Sequence, residues 1–314
     1  MEIKIDNENK IATRLSYGQA LEKLGESNKD IVVLDADLST ATKTELFAKK
    51  FPDRFINVGI SEQNMMGMAA GLSTFGKIPY VSTFAVFAAG RAYEQIRNSI
   101  AYPKLNVKIC ATHAGVTVGE DGATHQMLED LNLMRGLPNM IVMSTSDDIQ
   151  TKWAVDAISK IDGPVYLRLG RMKTPKIYTE DSINEFEIGK GIQIGDGKDA
   201  SIIATGDTVV EALKAKEILK SKGIEVRVID IHTIKPIDRE LIIKCAKDTK
   251  RIITVEDHNI IGGLGTAVGE VLLEEYPVKV EKMGIPDVFG RSGTAEELMK
   301  YYKIDATAIV SKLM

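Results

Sequence analysis

The stretch NVGISEQNMMGMAAGLSTFG, residues 57–76, places one carboxylate, Glu62, among glycine, alanine, methionine and other small or apolar residues. Charged side chains avoid such surroundings unless they are paired or put to use in chemistry. A carboxyl group held there can take up and release a proton, because desolvation disfavours its charged form. The preceding Ser61 is a candidate N-cap, and a helix N-terminus would favour the anion instead. Glu62 is therefore either a reactive carboxyl group or an ordinary first-turn glutamate.

A second candidate segment, THAGVTVGEDGATHQ at 112–126, holds two of the four histidines of the chain, separated by a glycine-rich acidic loop. Three interpretations remain open for it. His113, Asp121 and His125 could bind a metal, although compact ligand spacing such as H-x-x-x-H is missing. The two histidines could simply cap helices. The favoured interpretation is a site for a polar or phosphorylated substrate.

Short β-branched runs alternate with helix-like stretches, which predicts crossover units and a mostly parallel sheet. The runs are DIVVLDAD (30–37), RFINVG (54–59), IPYVSTF (78–84), VKICATHAG (107–115), MIVMST (140–145) and PVYLRLG (164–170). Ligands of such sheets bind beyond the carboxyl ends of the strands. The candidates that this rule places at one edge are Asp35, Asp37, Glu62, Thr83, Phe84, His113, Arg168 and Arg171.

The alternation pauses at a polar, glycine-rich segment with one possible hairpin, and then resumes. We therefore predict two α/β domains with parallel-type sheets, at residues 1–175 and 199–314, joined by a linker at 176–198. Helix starts are predicted from capping-box spacing at Ser16-x-x-Gln19, Thr42-x-x-Glu45 and Thr208-x-x-Glu211, with a last capped helix near Thr294. The segment GGLGTAVGE, 262–270, lacks the spacing of a dinucleotide fingerprint and is interpreted as helix-entry packing.

Composition excludes several classes of protein. The 314 residues are 44% hydrophobic and 27% charged, with a net charge of -4 and no basic stripe, which argues against nucleic-acid binding. No apolar run reaches the roughly 18 residues of a membrane span, and the first residues lack the apolar core of a signal peptide. We expect a cytoplasmic protein in which Cys110 and Cys245 are reduced, packed thiols.

Five motifs of the first domain are specific in residue type and spacing. They are LDADLS (34–39), GISEQN (59–64), STFAVF (82–87), THAGVTVGEDGATHQMLEDL (112–131) and GLPNM (136–140). These motifs resemble the C-terminal half of transketolase, a thiamine-diphosphate enzyme, and the resemblance runs from residue 12 to the last helix. It implies a pyrimidine-binding domain for thiamine diphosphate, followed by the transketolase C-terminal domain.

The resemblance also implies roles for individual residues. Glu62 matches the glutamate that exchanges a proton with N1′ of the cofactor, which lets the cofactor's own 4′-amino group act as a base. Phe84 and Phe87 match aromatic residues that line the aminopyrimidine or stack on it; the alternative is that both are ordinary core residues. Asp37 matches an acidic residue near the thiazolium. The residues that match sugar- and phosphate-binding positions are Arg14, His113, Asp121, His125 and Arg171, with Arg168 as a neighbour. Two positions depart from the family pattern, with Gly90 in place of a third pocket aromatic and Ala41 in place of a serine.

The family's diphosphate and magnesium motif, Gly-Asp-Gly followed by an asparagine, has no equivalent after a strand in this chain. The triplet Gly195-Asp196-Gly197 lies in the predicted linker, with no asparagine before Asn259. We therefore predict no metal ligands here and a separate N-terminal subunit that supplies the diphosphate site and Mg2+. The expected assembly is a heterotetramer built on a dimer of these chains.

Two-carbon ketol transfer between phosphorylated sugars is the leading hypothesis for function. The rivals are deoxyxylulose-phosphate synthase, the beta subunit of a 2-oxo acid dehydrogenase, and a non-catalytic regulatory subunit. His113 and Phe87 favour transketolase, because the synthase tends to carry arginines at those places. A regulatory subunit is disfavoured by the joint presence of Glu62, His113, Asp121 and His125. In a subunit that had lost catalysis, mutation would be expected to replace some of these residues.

Overall fold

Buried β-branched runs form the strands of two mostly parallel sheets in the computed structural model, which describes residues 3–314. The strands of the first part are β1 (Asp6–Ala12), β2 (Ile31–Asp35), β3 (Phe55–Asn57), β4 (Ile78–Phe84), β5 (Lys108–Thr112), β6 (Ile141–Ser144), β7 (Val165–Arg168) and β8 (Lys173–Lys176). Its helices are α1 (Thr13–Ser27), α2 (Ser39–Thr42), α3 (Glu45–Lys50), α4 (Glu62–Thr74), α5 (Tyr93–Gln95), α6 (Asp130–Arg135) and α7 (Asp148–Ser159). Two π-helical segments, Val86–Arg91 and Ile96–Ala101, flank α5.

The second part repeats the alternation. Its strands are β9 (Ile192–Ile194), β10 (Ala200–Ala204), β11 (Val226–Asp230), β12 (Thr233–Lys235), β13 (Ile252–Asn259) and β14 (Val280–Ile285). Its helices are α8 (Thr208–Ser221), α9 (Arg239–Thr249), α10 (Leu264–Glu275), α11 (Ala295–Tyr301) and α12 (Ala306–Leu313). The predicted fold class, two α/β domains in this order, is confirmed.

In the described part of the chain, the larger sheet has seven strands in the order β12-β6-β7-β5-β4-β2-β3. The pairs β2–β3, β2–β4, β4–β5, β5–β7 and β6–β7 are all parallel, as crossover connections between strands require. The edge strand β12 comes from the second half of the chain and pairs antiparallel with β6, where Thr233 faces Met143 and Lys235 faces Val142. The two domains therefore share one hydrogen-bonded sheet.

The smaller sheet, over the same residues 3–314, has five strands in the order β14-β13-β10-β11-β9. Its inner pairs are parallel, and only the short edge strand β9 runs antiparallel, beside β11. Strands β10 and β11 are buried along their whole length, as are β2 and β5 in the larger sheet. Such strands have helices or loops on both faces, which explains their largely apolar sequences.

The segment 173–198 is more ordered than its polar, glycine-rich composition suggests. The possible hairpin does not form, because β8 pairs with β1 and β9 pairs with β11. Between these strands, Ile177, Tyr178 and Phe186 are buried in the same apolar cluster as the strands of the smaller sheet. The residues predicted to be a linker thus contribute to the core.

Three predicted capping boxes do not form. Ser16 lies inside α1, Thr42 donates its hydroxyl to Asp35, and Thr208 donates its hydroxyl to carbonyl oxygens. None of the three residues is the N-cap of a helix, and the hydroxyls of Thr42 and Thr208 donate to oxygen atoms of other elements. The capped helix near Thr294 is confirmed, since both halves of its capping box are present.

The glycine-rich entry to α10 is organised by a buried carboxylate. Glu256 accepts hydrogen bonds from the amides of Leu264 at 2.6 Å and Gly265 at 2.8 Å. A Cβ at Gly263 would lie 1.9 Å from Glu256 Oε2, so this close approach requires a glycine. The interpretation of 262–270 as helix-entry packing is confirmed.

Both cysteines are packed, unpaired thiols, as the sequence predicted. Burial raises the pKa of Cys110 to about 12, so this thiol is unreactive at neutral pH. Among residues 3–314, no helix is both long enough and apolar enough to cross a membrane.

Candidate functional site

The carboxyl ends of β2, β4 and β5 meet at one edge of the larger sheet. In register, Asp35 at the end of β2 faces Ser82, and Phe84 at the end of β4 faces Thr112 at the end of β5. His113 follows Thr112 directly. This edge therefore brings together residues that lie far apart in the sequence, as expected for a parallel sheet.

Glu62 is the first residue of α4 and is 2% exposed. Arg91 Nη1 donates to Oε1 at 2.8 Å and to Oε2 at 2.9 Å, so one nitrogen contacts both carboxylate oxygens. Ser61 occupies the N-cap position, but its hydroxyl donates to the carbonyl oxygen of Val58 and makes no cap hydrogen bond. The buried carboxylate is thus balanced by a guanidinium that the sequence analysis did not identify.

Two phenylalanines form an aromatic surface beside this ion pair. The rings of Phe84 and Phe87 are nearly parallel, at 10°, with centroids 5.9 Å apart, and His113 stacks on Phe84 at 3.8 Å. The guanidinium carbon of Arg91 lies 4.6 Å from the centroid of Phe87, in a cation–π contact. Because the same guanidinium binds Glu62, the carboxylate and the aromatic pair lie on the same side of the site, next to Arg91. The signal for Arg91 in the sequence is its position four residues after Phe87, one helical turn away.

His125 approaches the same two rings edge-on. Its ring centroid lies 6.3 Å from that of Phe84 and 5.7 Å from that of Phe87. The hydroxyl of Thr124, 2.9 Å from Nδ1, helps to orient the imidazole. Both histidines of the segment 112–126 therefore contact one aromatic cluster.

His113 is a buried, neutral imidazole. Its Nε2 lies 3.3 Å from Arg14 Nη1 and accepts from it, because a guanidinium can only donate. The ring proton then lies on Nδ1, 2.8 Å from the hydroxyl of Thr112. Burial, together with the positive charges of Arg14 and Arg171, lowers the pKa of His113 to about 3. The backbone of His113 is left-handed, with φ 58°, a conformation that the surrounding structure must hold in place.

Arg14 and Arg171 make this corner of the site cationic. Burial and the charge of Arg171 lower the pKa of Arg14. Arg14 Nη1 donates to the carbonyl oxygen of Ala41 at 2.8 Å, whereas its buried Nε has no hydrogen-bond partner within residues 3–314. Arg171 donates to the carbonyl oxygen of Val118 and to Glu120. A second guanidinium beside an unpartnered guanidinium nitrogen suits an anionic group.

Two further candidates lie at the surface. Asp37 is exposed, has a left-handed φ of 65°, and accepts from Asn57 Nδ2 at 3.0 Å. Asp121 is also exposed, and its charge raises the pKa of Arg14, which indicates that it lies near that guanidinium. Asp121 is therefore connected electrostatically to the cationic corner, and Asp37 is held by Asn57, the last residue of β3.

Two strand-end residues turn into the fold. Asp35 is buried and accepts hydrogen bonds from the amide of Leu38 and the hydroxyls of Thr42 and Thr44. Arg168 pairs with Asp130 at 2.8 Å and donates to the carbonyl oxygen of Asp257 at 2.8 Å. Both were placed at the functional edge by the strand pattern, and both serve the packing of the protein.

Within residues 3–314, no three His, Cys, Asp or Glu side chains are grouped as ligands of a metal. His113, one of the ligands considered, has both ring nitrogens engaged, with Arg14 and Thr112. The carbonyl oxygen of Gly197, in the Gly-Asp-Gly triplet, accepts from Arg227 Nε at 2.9 Å and Nη2 at 2.7 Å. That triplet therefore serves packing in the second domain.

The protein has two α/β domains, and at one sheet edge it brings together an aromatic pair, a buried carboxylate and two arginines. The family model "Transketolase, pyrimidine binding domain" matches residues 9–176, and "Transketolase, C-terminal domain" matches residues 189–309. The chain belongs to the transketolase family. The resemblance inferred from the sequence motifs is confirmed.

Three similar proteins cover almost the whole chain. A protein of Methanocaldococcus jannaschii described as a transketolase C-terminal section is 55% identical over 302 residues, 96% of this chain and 95% of that protein. The 6-deoxy-6-sulfo-D-fructose transketolase subunit SqwH of Clostridium sp. (strain MSTE9) is 39% identical over 297 residues, 95% of this chain and 92% of that protein. A solved structure, "Split gene transketolase, inactive beta4 tetramer", has a TM-score of 0.90 at 54% identity and covers 96% of this chain and 97% of that one.

Proposed function

We propose that this chain is the C-terminal subunit of a split, thiamine-diphosphate-dependent transketolase that transfers a two-carbon ketol unit between phosphorylated sugars. The observation that carries the proposal is the common position of Glu62 and the Phe84–Phe87 pair, since Arg91 contacts both Glu62 and Phe87. A carboxyl group beside two aromatic rings suits a flat heterocycle with a nitrogen that can be protonated. An aminopyrimidine has these properties.

The residues of this chain fit the aminopyrimidine end of thiamine diphosphate. Phe84 and Phe87 would pack against the ring, and Glu62 would exchange a proton with a ring nitrogen. When bound, the cofactor supplies the nucleophilic carbon that accepts the two-carbon unit. Arg91 occupies both oxygens of Glu62, but its side chain is 48% exposed and can turn toward solvent without unpacking the core. Asp37 is proposed to lie on the thiazolium side.

The cationic corner would bind the anionic end of the sugar. Arg14 and Arg171 carry the charge, and a guanidinium matches the oxygens of a phosphate with two parallel donors. His113 adds no positive charge at neutral pH, because its pKa is lowered to about 3. We propose that His113, His125 and Asp121 contact sugar hydroxyls and the phosphate end.

A separate N-terminal subunit would hold the diphosphate and Mg2+. No metal-ligand cluster is present within residues 3–314, and the Gly-Asp-Gly triplet is used in packing. Ile60, two residues before Glu62, is 79% exposed, and a second chain on this face would cover it. We propose a heterotetramer built on a dimer of these chains. The related split-gene protein, solved as an inactive beta4 tetramer, supports self-association and the need for a partner.

A second candidate substrate class is a sugar that carries a sulfonate in place of the phosphate. One relative is named for 6-deoxy-6-sulfo-D-fructose. Sulfonate and phosphate both present negatively charged oxygens, so Arg14 and Arg171 suit either group. Gly90, where an added Cβ would meet nothing within 4 Å, leaves space that a family aromatic would fill.

The test is co-expression with an N-terminal transketolase subunit from the same genome, followed by assays with and without thiamine diphosphate and Mg2+. Donors are xylulose 5-phosphate, 6-deoxy-6-sulfo-D-fructose and pyruvate, and the acceptors are aldose phosphates. We expect thiamine-dependent ketol transfer by the pair and none by the chain alone. Pyruvate decarboxylation without ketol transfer would instead identify a synthase or dehydrogenase subunit.

Glu62→Gln should reduce turnover of the pair by at least about 100-fold, the usual contribution of proton transfer. The matched control is Glu270→Gln, which removes an exposed carboxylate that pairs with Arg135. Full turnover in the Glu62→Gln complex would support a regulatory subunit and contradict the proposal.

A further inference from the structure

The second domain reaches into the first and contacts the loop that follows His113. Asp257, a buried residue of β13, accepts from the amide of Val116 at 2.8 Å through Oδ1. Its Oδ2 accepts from the amide of Thr117 at 3.1 Å and from the Thr117 hydroxyl at 2.8 Å. These residues begin the short 3-10 turn Val116–Val118, so the carboxylate caps that turn from another domain.

The loop needs such support because His113 adopts a left-handed backbone conformation, which is unfavourable for a residue other than glycine. His113, Gly115 and Gly119 have left-handed φ values of 58°, 80° and 87°. A Cβ at Gly115 would lie 2.0 Å from Asp257 Oδ2, so the carboxylate and the glycine are fitted to each other. Residues held in sparsely populated conformations persist only where the surroundings over-determine them.

Asp257 is itself tied to the first domain on a second side. Its carbonyl oxygen accepts from Arg168 Nη2 at 2.8 Å, and Arg168 also pairs with Asp130. Beyond the turn, Arg171 donates to the carbonyl oxygen of Val118, so the far end of the loop meets the cationic corner. A continuous set of contacts thus runs from Asp257 through the turn to both His113 and Arg171.

We infer that Asp257 is a positioning residue, a carboxylate of the second domain that holds His113 and its loop in the geometry used at the site. The role of Asp257 in catalysis rests on the proposed transketolase activity. Its role in holding the loop does not depend on that activity. The sequence motifs indicate no site residue in the second domain, and this contact gives that domain a part in the site.

The pKa of the His113 imidazole depends on the position of the ring and can therefore be used to detect a movement of the loop. The charged and titratable groups that face it are Arg14 from α1, Arg171 after β7, and His125 from the same loop, and with burial they hold its pKa near 3. If the loop loosens, water reaches the ring and the arginines move away. The pKa of His113 should then rise toward the ordinary value near 6.5.

The experiment is an NMR titration of the four imidazoles in the full chain, with the His113 signal assigned by comparison with His113→Gln. Asp257→Asn and Thr117→Val should each raise the pKa of His113, by at least about 1 for Asp257→Asn. The matched control is Asp238→Asn. Asp238 is a buried carboxylate of the second domain that caps α9 and accepts from Leu241 and Gly191.

An unchanged His113 pKa in the folded variants would overturn the inference, as would an equal rise in Asp238→Asn. Thr117→Val keeps the side-chain shape and decides the question if Asp257→Asn does not fold. The titration needs no partner, cofactor or substrate. A complex without ketol transfer would therefore overturn the proposed function while leaving the positioning result intact.

In the active complex, Asp257→Asn should lower kcat about tenfold or more, because misplaced groups at a site reduce turnover. Asp238→Asn, at matched stability, should leave kcat unchanged. A loss of kcat equal in the two variants would mean that Asp257 acts only through global stability.

Discussion

Arg91 Nη1 lies 2.8 Å from one carboxylate oxygen of Glu62 and 2.9 Å from the other, and the two residues differ sharply in exposure. The carboxylate is 2% exposed and the arginine side chain 48% exposed. The buried member of this pair therefore depends on the contact more than the exposed member does. Removing the arginine leaves a desolvated carboxylate without its partner, which is the costly way to break an ion pair.

Arg91→Met should lower the free energy of unfolding by about 1–3 kcal/mol, the usual cost of leaving a buried polar group unsatisfied. The measurement is urea denaturation of the isolated chain at neutral pH. The control is Arg239→Met, since Arg239 is 45% exposed but pairs with the exposed residues Glu274 and Glu275. That change should cost less than about 1 kcal/mol. Equal losses in the two variants would show that Glu62 does not need its partner.

Arg14→Ala should raise the KM of the complex for a phosphorylated donor by about tenfold or more, the value of one or two charge-assisted hydrogen bonds. The same variant should leave the KM for the corresponding sugar without a phosphate unchanged, because the guanidinium of Arg14 is proposed to contact only the phosphate. Steady-state kinetics with both donors provides the comparison. An equal rise for the two donors would contradict the assignment of Arg14 to the anionic end.

Asp207 introduces a pH dependence of stability. Burial, with repulsion from Asp257, raises the pKa of Asp207 from 3.8 to about 7. Between these values the folded chain keeps a proton that the unfolded chain has released. The stability contributed by Asp207 is therefore complete below about pH 4 and is lost as the pH rises to about 7.

Asp207→Asn removes this titration. We expect the free energy of unfolding of the variant, minus that of the wild type, to increase by at least about 1 kcal/mol from pH 4 to pH 7.5. Urea denaturation at several pH values measures the difference, which also cancels the other titrating groups. A difference that stays constant or falls over this range would contradict the assignment.

Gly90 and Gly115 should respond in opposite directions to the same substitution. A Cβ at Gly90 meets nothing within 4 Å and the residue lies in a π-helical segment, so Gly90→Ala should stabilise the chain by about 0.5–1 kcal/mol. Gly115 has φ 80° and lies against Asp257, so Gly115→Ala should be strongly destabilising. Thermal unfolding of the two variants checks both, and stabilisation by Gly115→Ala would contradict the close contact with Asp257.

The sequence predicted the fold and the cluster at the sheet edge for a physical reason. Parallel strands end at one edge, so the motifs around Glu62, Phe84 and His113 had to converge. The alternation of strands and helices predicts where a strand ends, but it does not predict the direction of the last side chain. For this reason Asp35 and Arg168 were placed in the site, although both side chains pack inside the fold. The roles of individual residues came from the resemblance of the motifs to transketolase, because strand periodicity alone does not indicate what a residue does.

Contacts between distant segments had no local signal. Arg91 and Glu62 are 29 residues apart, and Asp257 and Val116 are 141 apart, with neither pair set by helical or strand spacing. The failed capping boxes show the same limit, since Thr42 and Thr208 have acceptors from other elements. Side-chain partners across the fold depend on packing, which a pattern of residue types along the chain does not specify.

The pairing of β12 with β6 joins the two domains in one hydrogen-bonded sheet and couples their folding. A cut within 176–198 would leave β6 with an open row of amides and carbonyls at the sheet edge, a template for aggregation. Denaturation should therefore occur in one cooperative transition that both domains share, and a first domain expressed alone should be insoluble. Neither domain can be transferred to another protein by itself, and engineering of the site must retain the whole chain.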